Sequence, residues 1–134
     1  MMPILLLASA SADLDALGSA VTRCDRAVAN PVFSAESGRH SDFLRQAYRE
    51  QEALVGVRLE LAQRRRELRE RSAAASSAKE FAAEEANVVR EEAAIEDRQR
   101  ALNDQRMLEG VRQDAMESLR RHFLLKCPAG RPKD

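Results

Sequence analysis

Tryptophan is absent from this 134-residue chain, tyrosine occurs once and phenylalanine four times, so aromatics make up only 4% of it. That excludes a thick globular core, which depends on large aromatic areas. Five glycines and four prolines are too few for a fold of many short strands and tight turns. Net charge is equally lacking: 22 Lys and Arg balance 22 Asp and Glu. Bulk attraction to nucleic acid or to an anionic membrane is thereby removed. No apolar run approaches the ~20 residues that a bilayer span requires. What remains is Ala, Leu, Arg and Glu, with a third of the chain charged, a composition that belongs to long helices.

The chemistry-bearing patterns are missing too. There is no Gly-rich phosphate loop and no nucleophile with a base in a recognisable motif. His40 and His122, with Cys24 and Cys127, lack the paired short spacings of a zinc site. Glu84-Glu85, Glu91-Glu92 and Glu96-Asp97 are adjacent on a helix and diverge, so they read as partners for arginines. The cluster Arg64-Arg65-Arg66, Arg69 and Arg71 is interrupted by Glu67 and Glu70 and has no interleaved aromatics, which argues against nucleic-acid binding. The expectation is a non-enzyme without cofactor, metal or small-molecule substrate, and without stable membrane insertion.

Against these absences stands a mirror symmetry of charge about Ala75. Folded there, the chain sets Arg66 against Glu84, Arg65 against Glu85, Arg58 against Glu92, Glu60 against Arg90, Glu52 against Arg98 and Glu50 against Arg100. Every pair is of opposite sign, which is what an antiparallel pair of helices requires. The apolar residues repeat the pattern. Ala47, Leu54, Leu61 and Leu68 recur every seven residues, as do Phe81, Val88, Ile95 and Leu102, and the fold sets Leu68 against Phe81, Leu61 against Val88, Leu54 against Ile95 and Ala47 against Leu102. The sequence therefore predicts an all-α protein: a long antiparallel, coiled-coil-like helical hairpin with a short N-terminal helix packing at its open end.

The expected domain is 13–127. Its first helix covers about 13–29, carries the stripe Leu14, Leu17, Val21, Cys24 and Val28, and stops at Asn30-Pro31 because proline supplies no amide hydrogen. Pro31, Ser34, Ser37, Gly38 and Ser41 mark 30–41 as a loop or broken helix. The hairpin helices are expected at about 42–71 and 78–126, with the tip at 72–78, where Ser77 and Glu80 have capping-box spacing. The tip lacks Gly and Pro, so one straight rod pairing with a second molecule is the alternative. Beyond Leu102 the stripe continues through Met116 and Phe123, still at multiples of seven, but Glu109 interrupts it, and Met107, Leu108, Val111, Ala115 and Leu119 read as a shifted one after a stutter. Residues 128–134 read as a disordered tail.

Three features bear on function. Met1 to Ala12 is an apolar run ending in Ala8-Ser9-Ala10 and Ala10-Ser11-Ala12, a candidate signal peptide cut after Ala12, although no basic residue precedes Arg23. Cys24 and Cys127 come opposite each other if the first helix continues the line of the second, giving a disulfide at the open end of the hairpin that suits an oxidising compartment. Tyr48, Val55 and Ala62, with Val57 and Leu59 nearby, form a stripe left over once the hairpin closes, a surface for a protein partner or for self-association. The expectation is an exported, periplasmic or secreted scaffold, adaptor or chaperone-like module. The alternative is a cytoplasmic coiled-coil accessory subunit of an export or cell-division assembly.

Overall fold

The computed structural model describes residues 4–74 and 78–128. The start of the candidate signal peptide, tip residues Ser76 and Ser77, and the tail from Ala129 onward lie outside them. Three helices account for the described chain: α1 (Ile4–Thr22), α2 (Arg26–Ala74) and α3 (Ala78–Lys126). No strand occurs among the described residues, and no helix there is long and apolar enough to cross a membrane. The long helices α2 and α3 pack against each other within one chain, so the expected hairpin forms in place of a single rod.

The first helix ends seven residues earlier than the Asn30-Pro31 pair suggests. The amide of Asp25 donates to the carbonyl of Ala20 at 2.8 Å and that of Cys24 to Val21 at 3.1 Å, the two bonds of a Schellman motif. The residue that such a turn holds in the left-handed region is usually glycine; here it is Cys24, with φ 55°. Asp25 then caps α2, its carboxylate accepting the Val28 amide at 3.3 Å while its carbonyl accepts that of Ala29 at 2.9 Å. Pro31 lies inside α2. It removes one intrahelical bond, to Ala27, and both residues are exposed, so the freed carbonyl faces solvent, where its loss is least costly.

The 30–41 loop is therefore corrected to helix. Its Ser and Gly residues are tolerated because tertiary contacts outweigh helix propensity: Ala29 is buried, and Val32 and Phe33 pack on the core beside it.

The chain separates into two compact units, Met1–Asp42 with Leu108–Asp134 and Phe43–Met107. In the first, α1 folds back along α2, burying Leu17, Ala20 and Val21 with Ala29, Met116, Phe123 and Cys127. The rings of Phe33 and Phe123 meet with centroids 5.7 Å apart. Arg26 lies over Phe123, 5.8 Å from its centroid, and donates to the carbonyls of Cys127 and Pro128 at 2.6 Å each, serving the C-terminal end of α3 where a cation is favoured.

In the second unit the seven-residue series form the core as expected. Ala47, Leu54, Leu61, Leu68, Val88, Ile95 and Leu102 are buried, with Phe43, Val57 and Phe81 packed at their edges. Leu54 is fully buried. Each large aliphatic residue so placed contributes ~1.5 to 3 kcal/mol before chain entropy is subtracted. Gln51 and Gln99 exchange two hydrogen bonds, at 3.1 and 3.0 Å, inside the seam.

Candidate functional site

The disulfide is present: Cys24 and Cys127 are bonded, their Cα atoms 5.5 Å apart and 103 residues apart in sequence. The geometry differs from the expectation. α1 does not continue the line of α2, and the bond forms because Cys24 sits in the turn between them, beside the end of α3. α1 folds back and the cysteines still meet, since the turn falls at Cys24 itself.

The charged seam of the Phe43–Met107 unit is corrected in its partners. Arg58 pairs with Glu96 at 3.4 Å, Arg65 with Glu92 at 2.9 Å, Arg71 with Glu84 at 3.2 Å, Arg98 with Glu50 at 2.7 Å, and Arg64 with Glu91. None of the six mirror-image pairs is among them. The four α2 arginines each reach an acid roughly one to two turns beyond the mirror position, toward the N-terminal end of their own helix. That is the direction in which helix side chains lean. These pairs are exposed, and each contributes little.

Flanking the seam on α2 lies the leftover stripe. Tyr48 is 63% exposed, Val55 45% and Leu59 68%, and Ala62 is exposed as well. Leu44, at 53%, extends the row toward the N-terminus. The Tyr48 hydroxyl bonds to the Glu52 carboxylate, which holds its pKa above the usual tyrosine range. All these positions lie on one regular helix whose buried face is locked by the leucine layers, so the stripe is presented rigidly.

A second constellation, in the unit that holds the disulfide, is one the sequence reading missed. Glu36 and Glu109 are both 8% exposed. Glu36 accepts two bonds from Arg112, at 3.1 Å each, a fork from Arg39 at 2.7 and 3.0 Å, and one from Gln113 at 2.8 Å. Glu109 accepts from Arg39, from His40 Nδ1 at 2.8 Å and from Gln113 at 3.1 Å. Burial works against the charge on Glu36, but the Arg39 and Arg112 guanidiniums outweigh it and hold the carboxyl down to about 2. For Glu109 burial is likewise the largest single influence, and the bonds from Arg39, His40 and Gln113 overcome it to leave the pKa lowered.

Glu109 thus does not break the stripe. Met116 and Phe123 stay in the seven-residue series, as expected, and are buried; of the expected shifted stripe Met107 and Val111 are 63% and 60% exposed, while Leu119 packs at the edge of the same core. A signal for this was available, because Glu109 lies seven residues past Leu102, His40 lies seven before Ala47, and their numbers share the register of the apolar layers. No group of three or more His, Cys, Asp or Glu among the described residues is arranged to hold a metal ion.

Together these features define a class: a three-helix, disulfide-closed protein with an exposed apolar stripe on α2 among the described residues. Comparison takes the matter no further, since no protein-family model, curated protein or solved structure matches the chain.

Proposed function

We propose that this chain is a non-enzymatic, exported helical-hairpin protein of the periplasm, a scaffold, adaptor or chaperone-like module that grips a protein through the face containing Tyr48, Val55, Leu59 and Ala62. The observation that carries the reading is the exposure of those large apolar side chains in one row on a regular helix, the arrangement by which one helix recognises another. Export is supported by the Cys24–Cys127 bond, since such bonds persist in oxidising compartments, and by the small-residue cleavage pattern up to Ala12.

A photo-crosslinking amino acid placed at Val55 in the native host tests the contact surface, with Arg90 on the exposed side of α3 as the control position. A protein adduct at Val55 and none at Arg90 is expected. The absence of any adduct at Val55 refutes the reading. N-terminal sequencing and thiol labelling of the same preparation test the location. Reduced cysteines with an intact Met1 would sink export and leave the cytoplasmic accessory subunit.

A further inference from the structure

Heptad positions arrange the open face of α2 into two adjacent columns, Tyr48, Val55, Ala62 and Arg69 in one, and Arg45, Glu52, Leu59, Arg66 and Ala73 in the other. Each of these nine residues is exposed. When two copies of such a helix meet antiparallel about a two-fold axis, each column faces its own copy. We infer that this face binds a second copy of the chain, antiparallel, with the axis passing beside Leu59.

The charges select that register. With the axis at Leu59, Leu59 meets its own copy, Val55 meets Ala62, and Glu52 meets Arg66 twice over. Tyr48 meets Arg69, a ring against a guanidinium, and Arg45 meets the small Ala73. No like charges face each other. Moving the axis to Val55 sets Arg45 against Arg66 at both ends and buries Glu52 against Leu59. Moving it to Glu52 sets that carboxylate against itself. Moving it toward Ala62 places Leu59 opposite Arg66 and Val55 opposite Arg69. Only the Leu59 register joins apolar to apolar in both columns and acid to base in the column that holds Glu52.

The contact runs from Arg45 to Ala73, about 43 Å of helix, all within the Phe43–Met107 unit. Glu52, which accepts the Tyr48 hydroxyl within the same helix, and Arg66 must both turn to the second copy, and all three residues are exposed. Arg66 bonds Glu70 of its own helix at 3.2 Å with the two side chains 81% and 66% exposed, and an exposed pair of that kind is cheaply exchanged. Association removes the exposed Leu59, Val55 and Tyr48 surfaces from water, and the charges supply the register.

This inference rests on the reading of the face as a contact surface and names its occupant. Sedimentation of the full-length, oxidised chain tests it. A dimer is expected, abolished by Leu59→Glu. Glu52→Arg or Arg66→Glu alone should raise the dimer Kd by roughly 2- to 30-fold, as loss of two symmetric exposed pairs implies, and the double reversal should restore it. Leu59→Cys, beside the axis, should cross-link chain to chain on a non-reducing gel, whereas Arg45→Cys, opposite Ala73, should not. Circular dichroism confirms that each variant keeps its helices.

A monomer at every concentration overturns the inference, as does a dimer indifferent to Leu59→Glu or a double reversal no better than the single ones. If the chain is monomeric while the Val55 probe captures a different protein, self-pairing fails and the contact-surface reading stands. If the chain is monomeric and the probe captures nothing, both fail.

Discussion

Cutting the bond between Cys24 and Cys127 should cost this protein much of its stability. The bond closes a loop across a sequence separation of 103. In the chain-entropy account a loop of that length restrains the unfolded state by about 4.7 kcal/mol at 25 °C. Spread over a 134-residue chain, with an unfolding entropy of about 2.1 cal/mol/K per residue, that amounts to a fall in Tm of roughly 15 °C. A second effect of opposite sign is separable. Cys24 sits in the left-handed region at φ 55°, which costs a non-glycine residue about 1 to 2 kcal/mol. Cys24→Gly with Cys127→Ala should therefore be more stable than Cys24→Ser with Cys127→Ala by about 1 kcal/mol, although both lack the bond. Thermal and urea unfolding followed by circular dichroism measure both quantities, with the oxidised chain as reference and the reduced chain as a chemical control. A fall in Tm below about 3 °C would refute the argument from loop closure, and equal stability of the two double variants would refute the assignment of a strained turn.

The remaining predictions concern the seam. Glu36, whose pKa is held at about 2, and Glu109, also lowered, stabilise the fold above the pKa of an unfolded glutamate, about 4.3. That stability should be lost as pH falls from about 4.5 toward 2, by about 1 to 3 kcal/mol after allowance for partial solvent screening; urea titrations across this range check it, and Glu36→Gln should flatten the dependence. Glu109→Ala removes the acceptor shared by Arg39, His40 and Gln113 and should cost about 1 to 3 kcal/mol at pH 7 by urea unfolding. Leu54→Ala, at a fully buried position, should cost about 2 to 5 kcal/mol in the same assay. Pro31→Ala restores a helical amide where the ring supplies none and should stabilise the chain by about 1 to 2 kcal/mol; a loss instead would show that α2 does not extend through this residue.

The apolar layers were legible because buried residues one heptad apart need only lie on one face, and a side chain of leucine length stays near its own level on the helix. The partners of the α2 arginines were not, because that side chain is long and there leans toward the N-terminus of its helix. Glu84 therefore meets Arg71 and not Arg66, and Glu92 meets Arg65 and not Arg58. The signs across the seam could be read from sequence, the contacts could not. The turn at Cys24 was hidden for a different reason. Its position is decided by a left-handed residue that is normally glycine, so nothing in Arg23-Cys24-Asp25 stood out beside the stronger local breaker at Asn30-Pro31. The stripe at Tyr48, Val55 and Leu59 was legible by elimination, since those residues fall off the seam and no other segment of the hairpin competes for them.

The polar cluster teaches the converse lesson about the heptad. Glu36 and His40 fall in 30–41, which reads as loop from its Pro, Ser and Gly, and Glu109 reads as an interruption of the stripe, yet Glu36 and Glu109 are both buried. A seam of leucines alone is nearly indifferent to a slip of seven residues, since each layer then meets another of the same kind. A slip that carried Glu109 opposite Phe33 would strip the carboxylate of Arg39, His40 and Gln113 and leave it buried against a ring, a loss of several kcal/mol. The cluster therefore contributes little net stability over an apolar replacement but a large penalty against the wrong register. Replacing Glu36, Glu109, Arg39 and Arg112 together by leucines should thus leave the melting temperature of the reduced chain close to that of the reduced parent, while trapping of the Cys24–Cys127 bond on reoxidation, which needs the register that sets their Cα atoms 5.5 Å apart, should become less efficient as slipped pairings appear. Trapping as efficient as in the parent would show that the apolar residues of this unit set the register unaided.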